Sequence, residues 1–466
     1  MEEIKGKILE LLESKDINAL KAILLETPEH EVLDVMQTLD EHEQAIVFRF
    51  LPKEKSLYVF ENLETSDQEF LLSSLTHERA IEIVEWLDPD DRVKLLDELP
   101  TEVTKKLIAR LSADERAATN LLMGFEPETA GRIMTPNFVR LRRTLKASEA
   151  LDKIKRKAYD HETIYNLFVT DAKGKLEGVV SLRRLLISDP SEPLENIMNT
   201  DFTSVSTSTD QETVARLLQK RDMLAVPVVN NEGCIVGIIT VDDAIDILQE
   251  EATEDIFKQA GLTSKEANMS ETLIKGSVWS IWKIRMPFLL FTLVGGLVAG
   301  FVMGGFEGTL EAILMAAFFV PVVLDMGGST GVQSATIFTR ASILGHVEKK
   351  RIFKHITRET FIGLTMGLFT GIICGAIAFL CLWQGFIFSA VPLANAGSLG
   401  LAIGTALIIV MTLAAFIGFV VPYVMVKLKM DQAAASGAII TTIKDISGLL
   451  IYFGLVVLFG TLFGIF

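Results

Sequence analysis

Cysteine is nearly absent. Cys234, Cys374 and Cys381 are the three in 466 residues, with no C-x-x-C pair, so no disulfide framework organises the chain. Six scattered histidines include no H-E-x-x-H, which argues against a zinc hydrolase. Positive charge is scarce in the first 275 residues, where 33 bases face 53 acids. Such a front has no basic face for nucleic-acid phosphates, and no nucleic-acid partner is expected. Negative charge is scarce in the rest: residues 276–466 hold seven acids against eleven bases. The opening stretch is charged and has no apolar run of the signal-peptide kind, so no cleaved leader is expected.

Long apolar runs are present, all in the second part. Five candidate spans lie at about 283–304, 310–343, 359–383, 398–426 and 433–464. Trp279, Trp282 and Trp383 mark their interfaces. If the acidic front is cytoplasmic, Lys349, Lys350, Arg351, Lys354, Arg358, Lys427 and Lys429 all fall on the inside. Glu307, Glu311 and the uncharged stretch 383–398 fall outside, as does the C-terminus. The last span carries Thr441-Thr442-Ile443-Lys444-Asp445-Ile446-Ser447-Gly448, with Asp445 near mid-membrane. An ionised group at that depth is costly and is normally kept for ions, protons or a partner. The second span carries Asp325 at similar depth, followed by Gly327, Gly328, Ser329, Thr330 and Gly331. With Pro321 these predict a loosened helix whose freed carbonyls suit hard cations. Close helix packing is the competing use of such small residues. Oxygen-only ligands point to Mg²⁺ or a similar ion.

The acidic front contains two repeats. Leu51, Leu63, Leu75, Leu87, Leu99 and Leu111 recur every twelve residues, each before a Pro, Ser, Thr, Asp or Glu cluster of the helix-opening kind. The period predicts stacked two-turn helices over 1–130, an all-α superhelix with the leucines inside. Acids pile up in it around Asp88, Asp90, Asp91, Asp97 and Glu98. Over 131–255, Ile133-Met134-Thr135 is echoed by Ile197-Met198-Asn199. Gly174, Gly178 and Ser181 are echoed 59 residues later by Gly233, Gly237 and Thr240. Each copy, 131–192 and 193–255, reads helix, strand, glycine turn, strand, helix. The pair resembles tandem cystathionine-β-synthase-type (CBS) modules, α/β in class. That resemblance implies that Thr240 and Asp243 could hold the ribose of a nucleotide such as ATP. An acidic, helix-prone connector at 256–278 leads into the five-helix membrane domain, 279–466.

This order of domains resembles the MgtE family of magnesium channels. So do Gly327-Gly328, Gly331, Gln333-Ser334-Ala335-Thr336 and Arg340, and, in the last span, Thr442, Asp445 and Gly448-Leu449-Leu450-Ile451-Tyr452-Phe453. The resemblance implies a multi-pass homodimer of the cytoplasmic (inner) membrane with the pore between subunits, and no enzyme. It implies Asp445 as the pore ligand, with backbone oxygens at Gly328 and Thr441 holding partly hydrated Mg²⁺. It also implies that cytosolic Mg²⁺ bridges Asp91, Asp210, Glu212, Asp222, Asp243, Asp246, Glu251, Glu254 and Asp255 and locks the pore. The family pattern has Asn where this chain has Ser329, Val332 and Gly437, Pro at Ala438, and no charge at Asp325 or Lys444.

Lys444 could pair with Asp325 or face the path. A coupled exchanger or exporter using Asp325, Lys444 and Asp445 is therefore the alternative, as is a membrane-tethered sensor that transports nothing. Intramembrane aspartyl proteolysis is disfavoured, because glycine follows rather than precedes the acid in Asp325-Met326-Gly327-Gly328.

Overall fold

A computed structural model describes residues 2–14, 16–63, 65–157, 162–262, 273–274, 276–307, 314–343, 351–384, 392–428 and 432–463. The chain forms two compact units, Met1–Glu251 and Ala252–Phe466.

The twelve-residue period becomes a period of helix starts. Glu41–Phe50, Lys53–Glu61, Thr65–Ser74, His77–Trp86, Pro89–Glu98, Thr101–Ile108 and Ala113–Met123 each open twelve residues after the previous one. Local chemistry sets each start. Asp40 and Glu43 make a reciprocal capping box, the Thr76 hydroxyl accepts from the Arg79 amide, and Pro89 opens its helix at the first turn. The stops are leucines: Leu51, Leu87 and Leu99 close their helices with ψ between 139° and 149°, which turns the chain into the next helix. Leu51, Leu63, Leu87, Leu99 and Leu111 are buried in one core and Leu75 packs partly against it. Arg92 is fully buried here. Its guanidinium donates to the carbonyls of Val84 (2.7 Å), Glu85 (3.1 Å) and Leu87 (2.6 Å) and pairs with Glu115 at 2.7 Å. It thereby satisfies the orphan carbonyls that end the His77–Trp86 helix.

The CBS pair forms two three-stranded sheets. Strands β1 (Phe138–Arg142), β2 (Thr163–Thr170) and β3 (Leu176–Ser181) make the first. Strands β4 (Val205–Ser206), β5 (Ala225–Val229) and β6 (Ile235–Thr240) make the second. In each sheet the leading strand is parallel to its neighbour and the glycine-turn hairpin is antiparallel. The hairpin glycines Gly174 (φ +90°) and Gly233 (φ +77°) adopt the left-handed backbone that favours glycine. The leading strands were not expected; β4 is two residues long and too short to leave a pattern. The echoed Ile-Met motifs exchange partners. Thr135 pairs with Ile238 and Asn199 with Val179, and a Cβ on Gly178 or Gly237 would strike Met198 or Met134. Each copy thus completes the sheet of the other.

The second unit contains five long helices among the described residues: Val278–Gly304, Leu314–Ile343, Ile352–Gln384, Leu393–Lys427 and Gln432–Leu462. Four are long and apolar enough to cross a membrane. Leu314–Ile343 is long enough at 30 residues, but its Asp, Gly, Ser, Thr and Gln residues dilute its hydropathy. This helix corrects an expectation, because it runs unbroken through Pro321 and all three glycines. Within it, the Thr330 hydroxyl donates back to the Met326 carbonyl at 2.8 Å. Its glycines serve packing instead, with Gly331 against Ala414 and Gly418. The third and fourth helices meet through a glycine ladder. A Cβ on Gly371 would lie 2.6 Å from the Gly404 carbonyl oxygen, and one on Gly375 2.8 Å from that of Gly400. Backbones approach this closely only where side chains vanish. Connector residues 263–272, and the charges at Glu311, Lys349, Lys350 and Lys429, lie outside the described residues.

Candidate ion-binding sites

In the second unit, Asp325, Gly328, Ser329, Val332 and Gln333 fall at helical spacing on one face of Leu314–Ile343. With Lys444 they line a groove of about 450 Å³. Asp325 and Ser329 are exposed in the single chain, Gly328 is buried, and Thr441 and Asp445 are half-buried one turn apart on the last helix. Lys444 is buried, and its ammonium donates to the Leu324 carbonyl at 3.1 Å and lies 3.3 Å from Asp445 Oδ1. Of the two alternatives for Lys444, the pair with Asp325 is corrected, since among the described ion pairs its partner is its neighbour Asp445, while Lys444 does line the groove. Gly328 makes this possible, because an added Cβ would collide with the ammonium. Neither Thr441 nor Asp445 is among the groove's lining residues, and Asp445 is tied to the groove through its pair with Lys444.

In the first unit the acids at the start of Pro89–Glu98 meet those at the start of Val241–Gln259. Helix openings attract acids through the dipole, which is why both turns carry them. Here they crowd. Asp91 is pushed up to about 6, first by burial and then by the charges of Asp243 and Asp88. Glu61 is pushed up to about 8 and Glu162 to about 7, burial again leading. Burial and Asp243 hold Asp90 well above its ordinary value, and its Oδ1 is buried without a hydrogen-bond partner among the described residues. Asp246 adds its charge to Asp91 and Asp243. Two bases oppose this crowding: Lys94, paired with Glu250 at 2.7 Å, acts on Asp91, and Arg92 acts on Asp88.

Of the expected sensor acids, Asp91, Asp243 and Asp246 are therefore brought together. Asp210, Glu212, Glu251 and Glu254 are engaged by other partners. Asp210 caps its own helix by accepting from the Thr213 amide at 3.0 Å, and Glu212 pairs with Arg216. Glu251 accepts from Gln211 at 2.7 Å. Asp222 ends the Gln211–Arg221 helix in left-handed backbone (φ 50°). In the second unit Glu254 pairs with Lys258 at 2.6 Å, while Asp255 belongs to the same helix. Glu61 and Glu162 were not expected. Glu61 offered a signal, since it ends its helix, where the dipole disfavours an acid. Among the described residues no three Asp, Glu, His or Cys side chains stand close enough to chelate one ion. The Thr240 hydroxyl donates to Asp243 Oδ2 at 2.6 Å, so the two ribose candidates bind each other.

Comparison with known proteins agrees with this arrangement. Residues 320–455 match the family described as MgtE, divalent cation transporter; residues 27–128 match the MgtE intracellular N domain; 130–189 and 194–250 match CBS domains. The magnesium transporter MgtE of Thermus thermophilus is 37% identical over 341 residues, 72% of this chain and 71% of that one. That of Bacillus subtilis is 35% identical over 347 residues, 74% and 72%. The cytosolic domain of the Mg²⁺ channel MgtE in complex with ATP matches with TM-score 0.51 and 36% identity, covering 52% of this chain and 99% of that one. The soluble part of a magnesium transporter matches with TM-score 0.50 and 31% identity, covering 54% and 99%. An acidic helical repeat, a reciprocal CBS pair and apolar helices around an acid-lined groove belong together in one lineage, and the chain is a member of the MgtE family of divalent cation transporters.

Proposed function

We propose that this chain is a Mg²⁺ channel of the cytoplasmic membrane, conducting along the groove that carries Asp325, with Asp445 beside it, and closed by cytosolic Mg²⁺ at the acidic cluster. The observation that carries the conduction reading is the convergence of Asp325, Ser329 and Lys444 at one groove between apolar helices, with Asp445 paired to Lys444 beside it. A carboxylate left exposed at membrane depth on a single chain fits a dimer whose partner or water-filled path covers it. The carboxylates and carbonyls there are hard oxygen donors of the kind Mg²⁺ takes while keeping several waters. The cytoplasmic N-terminus and outer C-terminus follow from the lysine and arginine loops.

The gating reading is supported by the crowding of Asp90, Asp91, Asp243 and Asp246. Such acids repel when empty, and a hydrated divalent bridging them through water would favour the conformation that brings them together. The orphaned Asp90 oxygen fits a cation ligand of this kind. ATP at Thr240 and Asp243 would have to break their mutual hydrogen bond.

The test is Mg²⁺ entry into dye-loaded liposomes. Wild type should admit Mg²⁺ and Asp445→Asn should reduce entry at least tenfold. No entry in wild type at low internal Mg²⁺ would sink the conduction reading.

A further inference from the structure

Among the described residues, Lys444 is the one basic side chain lining the groove of Asp325, Gly328, Ser329, Val332 and Gln333. A lysine on a membrane helix ordinarily stretches its ammonium toward the headgroups. This one does not. Its side chain is 10% exposed, its Nζ donates to the Leu324 carbonyl at 3.1 Å, and it lies 3.3 Å from Asp445 Oδ1. Gly328 leaves the space it occupies, and any Cβ there would displace it. Side chains at i and i+1 diverge on a helix, so helix geometry alone does not favour the pairing with Asp445. The second helix, through Leu324 and Gly328, holds the ammonium in place.

We propose that Lys444 is a fixed counter-charge that sets how tightly the pathway holds a cation, and that it acts according to ion valence. This rests on the conduction reading above and names the residue that tunes it. The groove and its acid carry Asp325, Asp445 and Lys444, one net negative charge per chain instead of two. An ion of valence z interacts with a fixed charge in proportion to z. Lys444 therefore weakens the hold on a divalent twice as much, in free energy, as the hold on a monovalent ion. Conduction needs an ion to leave as well as to enter, and a site of two uncompensated carboxylates would hold a divalent too long. With an ion about 6 Å from the ammonium in water-like screening, removing the charge tightens divalent binding roughly tenfold and monovalent binding roughly threefold. A less polar site makes both shifts larger, but their logarithms keep the ratio of two.

The experiment compares the full chain with Lys444→Met and Lys444→Gln. The glutamine variant keeps a donor for the Leu324 carbonyl and so guards against misfolding. Half-saturating concentrations are read for Mg²⁺ entry and, in divalent-free buffer, for Na⁺ entry into liposomes. Both variants should lower the Mg²⁺ value about tenfold and the Na⁺ value about threefold. Equal shifts for the two ions, or no shift, would overturn the proposal and leave Lys444 a structural pair. If wild type admits no Mg²⁺, the conduction reading is what fails. Equilibrium binding of Mn²⁺ and Na⁺ to detergent-purified protein then decides the valence ratio, the pathway site being the component lost in Asp445→Asn.

Discussion

Glu61, Asp91 and Glu162 carry carboxyls pushed up to about 8, 6 and 7, and in all three burial acts before the neighbouring charges. Each folded value stands above the ordinary carboxyl range, so the folded state binds protons that the unfolded chain releases. Their contribution to stability is therefore fully present below about pH 4.5 and is lost as pH rises through 6 to 8. In divalent-free buffer the Pro89–Glu98 helix of the full chain should exchange its amides more slowly at pH 5.5 than at pH 8.5, after correction for intrinsic rates. Equal or faster exchange at pH 5.5 would contradict the crowding. Asp91, Asp325 and Asp445 could be read from the sequence, because an acid at a helix opening or inside an apolar run stands out by itself, whereas Asp243 was marked only by the resemblance of its run to CBS modules. Glu162 could not, for nothing near it in the chain marks it as a neighbour of Asp88 and Asp243.

At the scale of elements, the glycine ladder and the exposed glycines of the first membrane helix make opposite predictions from the same substitution. A Cβ on Gly371 or Gly404 meets the backbone carbonyl of the other, which cannot move aside as a side-chain tip does. Gly371→Ala should destabilise the second unit by about 1–3 kcal/mol, the usual cost of overpacking. Gly296→Ala and Gly300→Ala meet nothing within 4 Å and should leave the thermal midpoint in detergent unchanged or slightly raised. A midpoint equal for Gly371→Ala and Gly296→Ala would refute the ladder. The short helices of the front were legible down to their starts, since caps, prolines and acids act within one turn. The second membrane helix was not, because glycine and proline weaken a helix only where tertiary packing fails to support it.

For the whole molecule, the crowded acids Asp90, Asp91 and Asp243 and the groove of Asp325 lie in separate units, so on the proposed function a Mg²⁺ signal must alter the front first. Removing Mg²⁺ from the full chain should therefore speed tryptic cleavage within residues 1–251. Asp91→Asn combined with Glu162→Gln should make that rate less dependent on Mg²⁺, by relieving the repulsion that the ion relieves. Cleavage indifferent to Mg²⁺ in wild type would count against the front as a cation sensor.

The sequence by itself determined the helical repeat, the duplicated CBS pair, the apolar helices and the two acids within them. Each of these depends on chemistry within a few residues: a cap, a period, a glycine that must turn, a run that must leave water. Tertiary structure alone decided that each CBS copy completes the sheet of the other. It also decided that Glu61 and Glu162 join Asp91, and that Lys444 leans on Gly328 and Leu324 beside Asp445. Those outcomes depend on which surfaces come together across tens to more than a hundred residues of chain, and burial and charge act through space whatever the distance along it.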